Sequence, residues 1–442
     1  METPVTHTPP VSAAPTLWNS VTPIRCEPSP LRGDHSADVV IVGAGFLGLS
    51  AALTLAELGA DVAVIDAATV GWGASGRNNG LLAPGLKRDP WEVRQLLPRE
   101  KADALLRFSS AAPQRVADRV NKYDIDCDLN QAGWIQAAHA PAAMSRIRRR
   151  IEDWQSMGAV IGRIDTADLE TKLGTDFFVG ASLDSRGGSL NPLAYARGLA
   201  DAAVSLGVNL FEHSPVVRMQ RNSGRWQLET PHGRLSGDQV LLCVNAYNRE
   251  FDAVCGTVIP IRTAQVASAP LADDLAERIL PGGESASDTH RLLTSFRITR
   301  DRRLVMGGAS ATAGDDDARL AKRLQRRASR LFPYLGDIEW QFAWSGFLAI
   351  TADHLPKIFD LGPGCMAATA CNGRGIAMST ATGELLGDLV IGRQRVRSPI
   401  PIETPARQWR YNFREPGVAA SVVASRLMDS AERLVGGLSV SD

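Results

Sequence analysis

The chain has 442 residues, 44% of them apolar and 22% charged, which is the composition of a folded protein with room for about two or three domains. Lys plus Arg and Asp plus Glu each number 48, and the isoelectric point is near 7.1. This balance excludes an overall positive field that would attract nucleic acid or an anionic membrane.

The cysteines and the N-terminal residues indicate the cellular compartment in which the protein is expected to lie. The six cysteines form no CxxC pair, which argues against a cysteine metal site or a disulfide framework. Residues 1–36 contain seven prolines and lack a basic segment followed by an apolar run, so they predict an irregular N-terminal extension rather than a secretion signal. We therefore expect a cytoplasmic protein without a metal ion.

Residues 39–56 carry no charge, and hydropathy alone would suggest a membrane span. Glycines divide this stretch into a strand over residues 38–42, the turn GAGFLG over 43–48 and a helix over 49–58 that ends at Gly59. A second strand follows over 61–65. Because each piece is too short to cross a bilayer, we predict no transmembrane segment.

The order of these elements indicates a dinucleotide-binding unit. Gly43 permits a tight turn, Gly45 lets the backbone approach a pyrophosphate, and Gly48 lets the helix pack on the strand. The helix N-terminus offers free N–H groups and a positive dipole end to phosphate. Asp66 lies eighteen residues after Gly48 and is the predicted acceptor for ribose hydroxyls. An acid here disfavours a 2′-phosphate but does not distinguish NAD from FAD.

A glycine-rich segment with the sequence GWGASGRNNG follows at residues 71–80. It resembles the GxGASGRNGG segment of the D-amino-acid-oxidase-like FAD-dependent oxidoreductase superfamily, with Asn79 where the family usually has Gly. The similarity covers roughly residues 15–395, including GGSLNP at 187–192, a strand and turn over 208–217, a hairpin over 297–308, and segments 344–356 and 371–375. It is greatest for the gamma-glutamylputrescine-oxidase-like and glycine/sarcosine-oxidase branch.

The resemblance implies an α/β fold with two domains. One is a Rossmann-type FAD-binding domain with a parallel sheet, and the other is a substrate domain on a mixed or antiparallel sheet, as in glutathione-reductase-2-like FAD folds. The FAD-binding domain would comprise residues 37–90, 186–255 and 340–395, and the substrate domain residues 91–185 and 256–339. Residues 396–442 form a tail with a helix predicted over 419–434.

The resemblance also implies which residues hold FAD. They come from the phosphate turn, the end of the second strand, the glycine-rich segment, the adenine side and the C-terminal turn: Gly43, Gly45, Phe46, Leu47, Gly48, Asp66, Ala67, Gly73, Ala74, Ser75, Arg77, Asn78, Asn79, Gly80, Leu81, Val217, Asn245, Gly346, Gly373, Arg374, Gly375 and Ile376. Some relatives attach FAD through a cysteine in the C-terminal block. Gly346 stands at that position here, so we expect non-covalent FAD.

The C-terminal turn predicts the flavin end of the site. A short strand over residues 365–370 leads through Asn372–Gly375 into a helix over 376–391. A helix N-terminus at the N1–C2=O edge of a flavin stabilises the negative charge of the reduced ring. Arg374 either adds a full positive charge at that edge or holds the loop through a surface ion pair.

The segment 344–353 indicates what the substrate lacks. Amino-acid-oxidising relatives often read WxGxRPxTxD, with an Arg that binds the substrate carboxylate, whereas this chain reads WSGFLAITAD with Leu348 at the Arg position. A carboxylate facing Leu would lose its hydration without gaining a partner. We therefore expect an amine without an α-carboxylate, or with a carboxylate further out, in a pocket that includes Phe347, Leu348 and Asn372.

Other residues leave alternatives open. Arg297 either binds an anionic group or points outward from a strand whose opposite face is apolar. Trp344, like Trp134, either walls the pocket or belongs to the core. The arginines at 146 and 148–150 predict a solvated helix face.

The predicted reaction is oxidation of a C–N bond in a small amine. Hydride passes to flavin N5, the imine hydrolyses, and oxygen or another acceptor reoxidises the flavin. We assign catalysis to Arg374, Trp344 and Arg297, without a dedicated base if the neutral amine binds. The alternatives are a dehydrogenase for secondary or N-methyl amines or amino acids that uses a non-oxygen acceptor, and a tRNA-modifying flavoprotein, which the balanced charge disfavours.

Overall fold

The structure is a computed structural model that describes residues 3–4, 15–23, 28–309, 317–369, 372–392 and 397–407, together with Ala424 and Met428. Apart from those last two residues, the helix predicted over 419–434 lies outside the described residues. The described chain contains a ten-stranded sheet, an eight-stranded sheet and the two-stranded pair Leu81–Leu82 and Gly188–Ser189.

The ten-stranded sheet has a parallel centre. Its strands run in the order Asn209–Phe211, Val62–Ile65, Gly33–Val42, Gly233–Leu242 and Cys365–Thr369. Val40 and Ile41 are fully buried, because helices and loops cover both faces, and this explains the continuous apolar sequence. The remaining strands extend the sheet at its margins: Thr3–Pro4, Arg218–Asn222, Arg225–Thr230, Lys357–Asp360 and Ile402–Glu403.

Four helices pack together on this sheet. Phe46–Glu57 lies against Pro192–Ser205 and Gly375–Val390, and Arg99–Lys122 packs on the last of these. The other helices are Leu17–Val21, Pro90–Leu96, Pro141–Gln155, Leu169–Leu173, Asp273–Ala276 and Asp317–Leu331, with single 3₁₀ turns at Ala74–Gly76, Thr166–Asp168 and Pro333–Leu335. No helix within the described ranges combines the length and the apolarity that a bilayer span requires.

The eight-stranded sheet is antiparallel at every pairing but one. Its strands run in the order Trp340–Ile350, Ile259–Ser268, Leu304–Ala309, Thr294–Ile298, Ser285–Asp288, Trp134–Ala137, Ala181–Asp184 and Ile161–Ile164, and the fifth and sixth of these are parallel. The predicted hairpin is present, with Ile298 opposite Leu304. The two sheets confirm the predicted α/β fold class with a parallel-rich sheet and a mixed sheet.

Three segments pair or pack differently from what the domain ranges predicted from sequence imply. Within residues 1–36, Leu17–Val21 is a helix with a buried Trp18, because its apolar side chains complete a small core. The strand Trp340–Ile350, placed in the FAD block from sequence, pairs instead with Ile259–Ser268 of the mixed sheet. Arg99–Lys122, assigned to the substrate domain, packs on the helices of the parallel sheet.

Candidate active site

A cavity of about 2320 Å³ lies where the parallel strands end and the mixed sheet begins. Its walls combine the segments after the strands ending at Val42, Ile65, Leu242 and Thr369 with residues of the mixed sheet. Pockets for drug-sized ligands measure about 300–1,000 Å³, so this one has room for a dinucleotide together with a substrate. The carboxyl ends of parallel strands are the usual place for such a ligand.

The glycine turn at one end of the cavity is closed to side chains. A Cβ on Gly43 would lie 2.8 Å from the Cys243 carbonyl oxygen, and one on Gly48 would lie 2.0 Å from the Gly43 carbonyl oxygen. The N-cap residue of the helix Phe46–Glu57 is Gly45, which supplies no side-chain cap. The first N–H of the helix, that of Phe46, donates to the Ser75 hydroxyl (3.0 Å). The helix N-terminus therefore presents its following backbone N–H groups and its positive dipole end to a ligand anion.

Asp66 connects the second strand to this turn. Its carboxylate accepts hydrogen bonds from the Ala44 N–H (2.7 Å) and from the Ala68 N–H (2.8 Å). Burial raises the pKa of Asp66, although these two bonds act in the opposite direction. The acid thus lines the cavity with its backbone partners fixed, at the place where the sequence predicts ribose recognition.

The glycine-rich segment is held by its own polar side chains. Arg77 donates from Nε to the Trp72 carbonyl (3.0 Å) and from a terminal nitrogen to the Ser345 carbonyl (3.2 Å). Asn78 donates to the Ala74 and Ser75 carbonyls at 3.0 and 2.9 Å. Because these bonds lead to backbone carbonyls, both residues fix the shape of the loop that lines the cavity.

Asn79, which replaces a family glycine, reaches the mixed sheet. Its Nδ2 donates to the Ser295 hydroxyl (2.8 Å), and its buried Oδ1 has no hydrogen-bond partner. Both residues line the cavity. The substitution therefore joins the two sheets and leaves one acceptor oxygen at the cavity wall.

The C-terminal turn supplies further unpartnered donors. The Oδ1 of buried Asn372 accepts from the Thr351 N–H (2.9 Å), while its Nδ2 has no partner. The guanidinium of Arg374 lies 4.5 Å from the Trp134 ring centroid, and its Nε has no partner. Burial, together with the nearby Arg150, lowers the pKa of Arg374 to about 10. Both Asn372 and Arg374 line the cavity directly before the helix Gly375–Val390.

An apolar wall lies on the strand Trp340–Ile350, to which the C-terminal turn is joined by the Asn372 N–H donating to the Ala349 carbonyl (3.1 Å). Phe347 and Leu348 line the cavity, and the Phe347 ring packs edge-on against Tyr247 with centroids 6.2 Å apart. A Cβ on Gly346 would lie 3.2 Å from the Arg77 Cβ. The position at which some relatives carry a reactive cysteine is therefore packed against an arginine side chain.

Most of the predicted site residues line this one cavity, and five do not. Gly48 and Gly80 are packed against backbone instead, and Val216 lines the cavity where Val217 was predicted. The remaining two are Trp344 and Arg297, both assigned to catalysis from sequence.

Trp344 and Arg297 are buried behind the cavity wall. The Trp344 Nε1–H donates to the Arg77 carbonyl (2.9 Å), and its ring packs edge-on against Trp18 at 6.2 Å. Arg297 is buried with its guanidinium 5.1 Å from the Trp18 ring, and burial lowers its pKa to about 10. The predicted contact of either side chain with a substrate is therefore wrong, because Trp18 of the N-terminal helix covers them.

Sequence reasoning missed a basic wall of the cavity. Arg146 and Arg150, expected on a solvated helix face, both line it, and each pairs with the buried Asp89. Lys87 lines the same wall. The spacing of four between the two arginines placed them on one side of the helix, which was the available signal.

A histidine pair, also missed, lies elsewhere on the cavity wall. The rings of His139 and His290 stack 4.1 Å apart. His290 contacts the buried Asp288 at 2.8 Å, and Arg327 contacts the same carboxylate at 3.0 Å. Burial acts to raise the pKa of Asp288, but its contacts with His290, Arg327 and the Thr294 N–H hold it below its usual value.

Comparison with known proteins assigns this architecture to a family. The profile of the family described as "DAO: FAD dependent oxidoreductase" matches residues 38–389. The chain belongs to the DAO family of FAD-dependent oxidoreductases. This confirms the resemblance inferred from residues 71–80.

Individual members of the FAD-dependent oxidoreductase family show the same extent of similarity. A probable oxidoreductase OrdL from Haemophilus influenzae is 31% identical over 82% of this chain and 85% of its own length. The gamma-glutamylputrescine oxidoreductase of Escherichia coli is 28% identical with the same coverage of each chain. The crystal structure of glycine oxidase from Geobacillus kaustophilus superposes with a TM-score of 0.69, at 22% identity, over 83% of this chain and 97% of its own, and this supports the fold.

The residues present fit FAD, the cofactor of this family. The glycine turn leaves no volume for side chains beside the helix N-terminus, whose N-cap Gly45 has no capping side chain, and at the other end of the cavity the Asn372 Nδ2 has no protein partner. Of the described cysteines, Cys243 lines the cavity beside Gly43, and burial raises the pKa of its thiol, which keeps it protonated. These features agree with non-covalent FAD. The described residues contain no group of three or more His, Cys, Asp or Glu side chains able to hold a metal ion.

Proposed function

We propose that the protein oxidises the C–N bond of a small amine that has no carboxylate bound at position 348. The observation that carries the proposal is the position of Leu348 on the cavity wall, beside Phe347 and next to the C-terminal turn, whose Asn372 N–H donates to the Ala349 carbonyl (3.1 Å). The named activity of the Escherichia coli relative, a gamma-glutamylputrescine oxidoreductase, supports an amine as substrate. FAD, when bound, supplies the two-electron acceptor for this chemistry.

The surroundings of the cavity favour the neutral form of an amine, which is the form that can be oxidised at carbon. The apolar wall of Phe347 and Leu348 penalises an ammonium group by desolvation. Lys87 and Arg374 on the basic wall add like-charge repulsion against it. Both effects lower the pKa of a bound ammonium, so no protein side chain has to act as a dedicated base.

The proposed residues position the substrate rather than exchange protons with it. Tyr247, which also lines the cavity, contacts Phe347 through the edge-on ring packing, and its hydroxyl accepts from the Phe347 N–H (3.4 Å). Asn372 and the N-terminus of Gly375–Val390 hold positive partial charge at the cavity. This arrangement favours accumulation of negative charge on the bound cofactor during oxidation.

An anaerobic flavin-bleaching screen tests the proposal. The FAD-loaded protein is mixed with polyamines, N-methyl amines, and D- and L-amino acids, and the loss of flavin absorbance is followed. We expect rapid bleaching by amines and slow or no bleaching by simple α-amino acids. Rapid bleaching by a plain α-amino acid would overturn the Leu348 argument, and the absence of bleaching by every amine would reject amine oxidation.

A further inference from the structure

The basic wall of the cavity has more cationic side chains than acidic side chains that pair with them. Four cations line it, Lys87, Arg146, Arg150 and Arg374, whereas the acids that pair with them are Asp89 and Glu92. Asp89 is buried between the two helix arginines. Glu92 forms an ion pair with Arg146, with a terminal guanidinium nitrogen 2.8 Å from a carboxylate oxygen. Arg146 and Arg150 are therefore compensated, and the excess charge belongs to the other two residues.

Lys87 and Arg374 have no acidic partner among the described residues. No hydrogen bond or ion pair with a described residue holds the Lys87 ammonium, and the side chain is exposed by surface area because it borders the open cavity, although protein atoms surround it on its other sides. Arg374 is held over the Trp134 ring at 4.5 Å, with its Nε unpartnered. Trp134 belongs to the mixed sheet, and Gln136 on the same strand accepts a hydrogen bond from Arg150, so Arg374 and the arginine helix meet at one strand of that sheet.

The unfavourable proximity of Lys87 and Arg374 without a counterion indicates an anionic ligand. Desolvation by the protein atoms around the cavity, and then the charges of Arg374, Arg150 and Arg146, lower the pKa of Lys87 to about 8, and Asp89 offsets only part of this. Like charges held together without counterions destabilise a fold, and an anion placed between them removes that penalty. A carboxylate is the substrate group that matches a lysine and a guanidinium together.

We propose that Lys87 and Arg374 form a subsite for a carboxylate of the substrate, on elements other than the strand that carries Leu348. The inference rests on the proposed function, because it takes the cavity to be the amine site. It narrows the substrate class to amines that carry a carboxylate several bonds from the oxidised carbon. It also resolves how a cavity without the family arginine at position 348 recognises an anion.

Carboxylate binding can be measured without turnover. The FAD-loaded protein is titrated with pentanoate and with pentanamide, which has the same shape without charge, and binding is followed by the visible spectrum of the flavin and by calorimetry. We expect pentanoate to bind about tenfold or more tightly than pentanamide. Lys87→Met should abolish most of this difference and leave pentanamide binding unchanged, whereas Lys87→Arg should retain it.

The control is Arg148→Met. Arg148 is exposed on the helix that carries Arg146 and Arg150, but unlike them it does not line the cavity. Equal affinities of the wild type for the two ligands, or an equal loss in the Arg148 and Lys87 variants, would refute the subsite. FAD content and the melting temperature verify that each variant is folded, and Arg374→Gln replaces Lys87→Met if the latter fails this check. Flavin bleaching by amines remains a separate measurement, so a failed subsite and a failed amine-oxidase function give different results.

Discussion

Replacing Gly48 by Ala tests whether the phosphate turn and its helix must touch. The new Cβ would lie 2.0 Å from the Gly43 carbonyl oxygen and 3.2 Å from the Ile41 side chain. A carbon–oxygen contact needs about 3.3 Å, so the helix Phe46–Glu57 must move away by about 1 Å. The closest atom is backbone, which cannot rotate away, and overpacking of this kind costs about 3 kcal/mol.

The same displacement affects the cofactor. Backbone N–H groups at the helix N-terminus lose hydrogen-bond distance to a phosphate when the helix retreats by about 1 Å. If two bonds to a charged acceptor are lost, each worth about 1.5 kcal/mol, the Kd for FAD rises about 100-fold. We therefore expect Gly48→Ala to be purified largely without FAD and, compared without the cofactor, to melt about 3 °C lower than the wild type.

Equilibrium dialysis against FAD and thermal unfolding with and without added FAD measure both effects. The matched control is Gly162→Ala in the strand Ile161–Ile164, where a Cβ meets nothing within 4 Å. The control should bind FAD as the wild type does. The packing argument fails if Gly48→Ala retains wild-type FAD affinity and melting temperature.

Three further predictions concern the two ends of the cavity. Asp66→Asn should raise the Kd for FAD about tenfold in dialysis, because a charged acceptor is lost; an unchanged Kd would limit Asp66 to holding the turn. Leu348→Arg should permit anaerobic bleaching by a simple α-amino acid, and continued inertness would contradict the assignment of this position. The Kd for pentanoate should be constant below pH 8 and rise up to about tenfold per pH unit above it, because Lys87, with its pKa near 8, loses its charge there; a flat profile from pH 7 to 9.5 would disagree. The charged and titratable groups that act on or beside Lys87 in this range are Arg374, Arg150, Arg146, Asp89 and His354.

The parts of the site that could be predicted are those built from neighbouring residues. The strand, turn, helix and acid between residues 38 and 66 interact within one short segment, so their sequence pattern contains the whole geometry. The observed elements, Gly33–Val42, Phe46–Glu57 and Val62–Ile65, differ from the predicted ones only at their ends. Such ends depend on which partner strand continues alongside, as Gly233–Leu242 does for the first strand.

The errors arise where a distant segment decides which side of a strand is covered. Period-two alternation correctly places Phe296 in the core and Arg297 on the other face. It does not reveal that Trp18, more than 250 residues earlier, lies over Arg297 and against Trp344. A strand residue therefore becomes a cavity residue or a core residue through a contact that no local pattern contains.

The basic wall is likewise formed by segments that are distant in the sequence, and here this affects the proposed function. On its own helix, a run of arginines is correctly interpreted as polar, and Lys87 alone in a loop gives no signal. Their significance arises because a loop, a helix and the turn before Gly375–Val390 meet at one cavity, where Asp89 compensates only the helix arginines. Leu348 removes one means of binding a carboxylate from the strand Trp340–Ile350, and the uncompensated pair Lys87 and Arg374 provides another from different elements. A sequence motif can therefore indicate the loss of a clamp, whereas the proposed replacement is recognisable only from the charge balance of the assembled cavity.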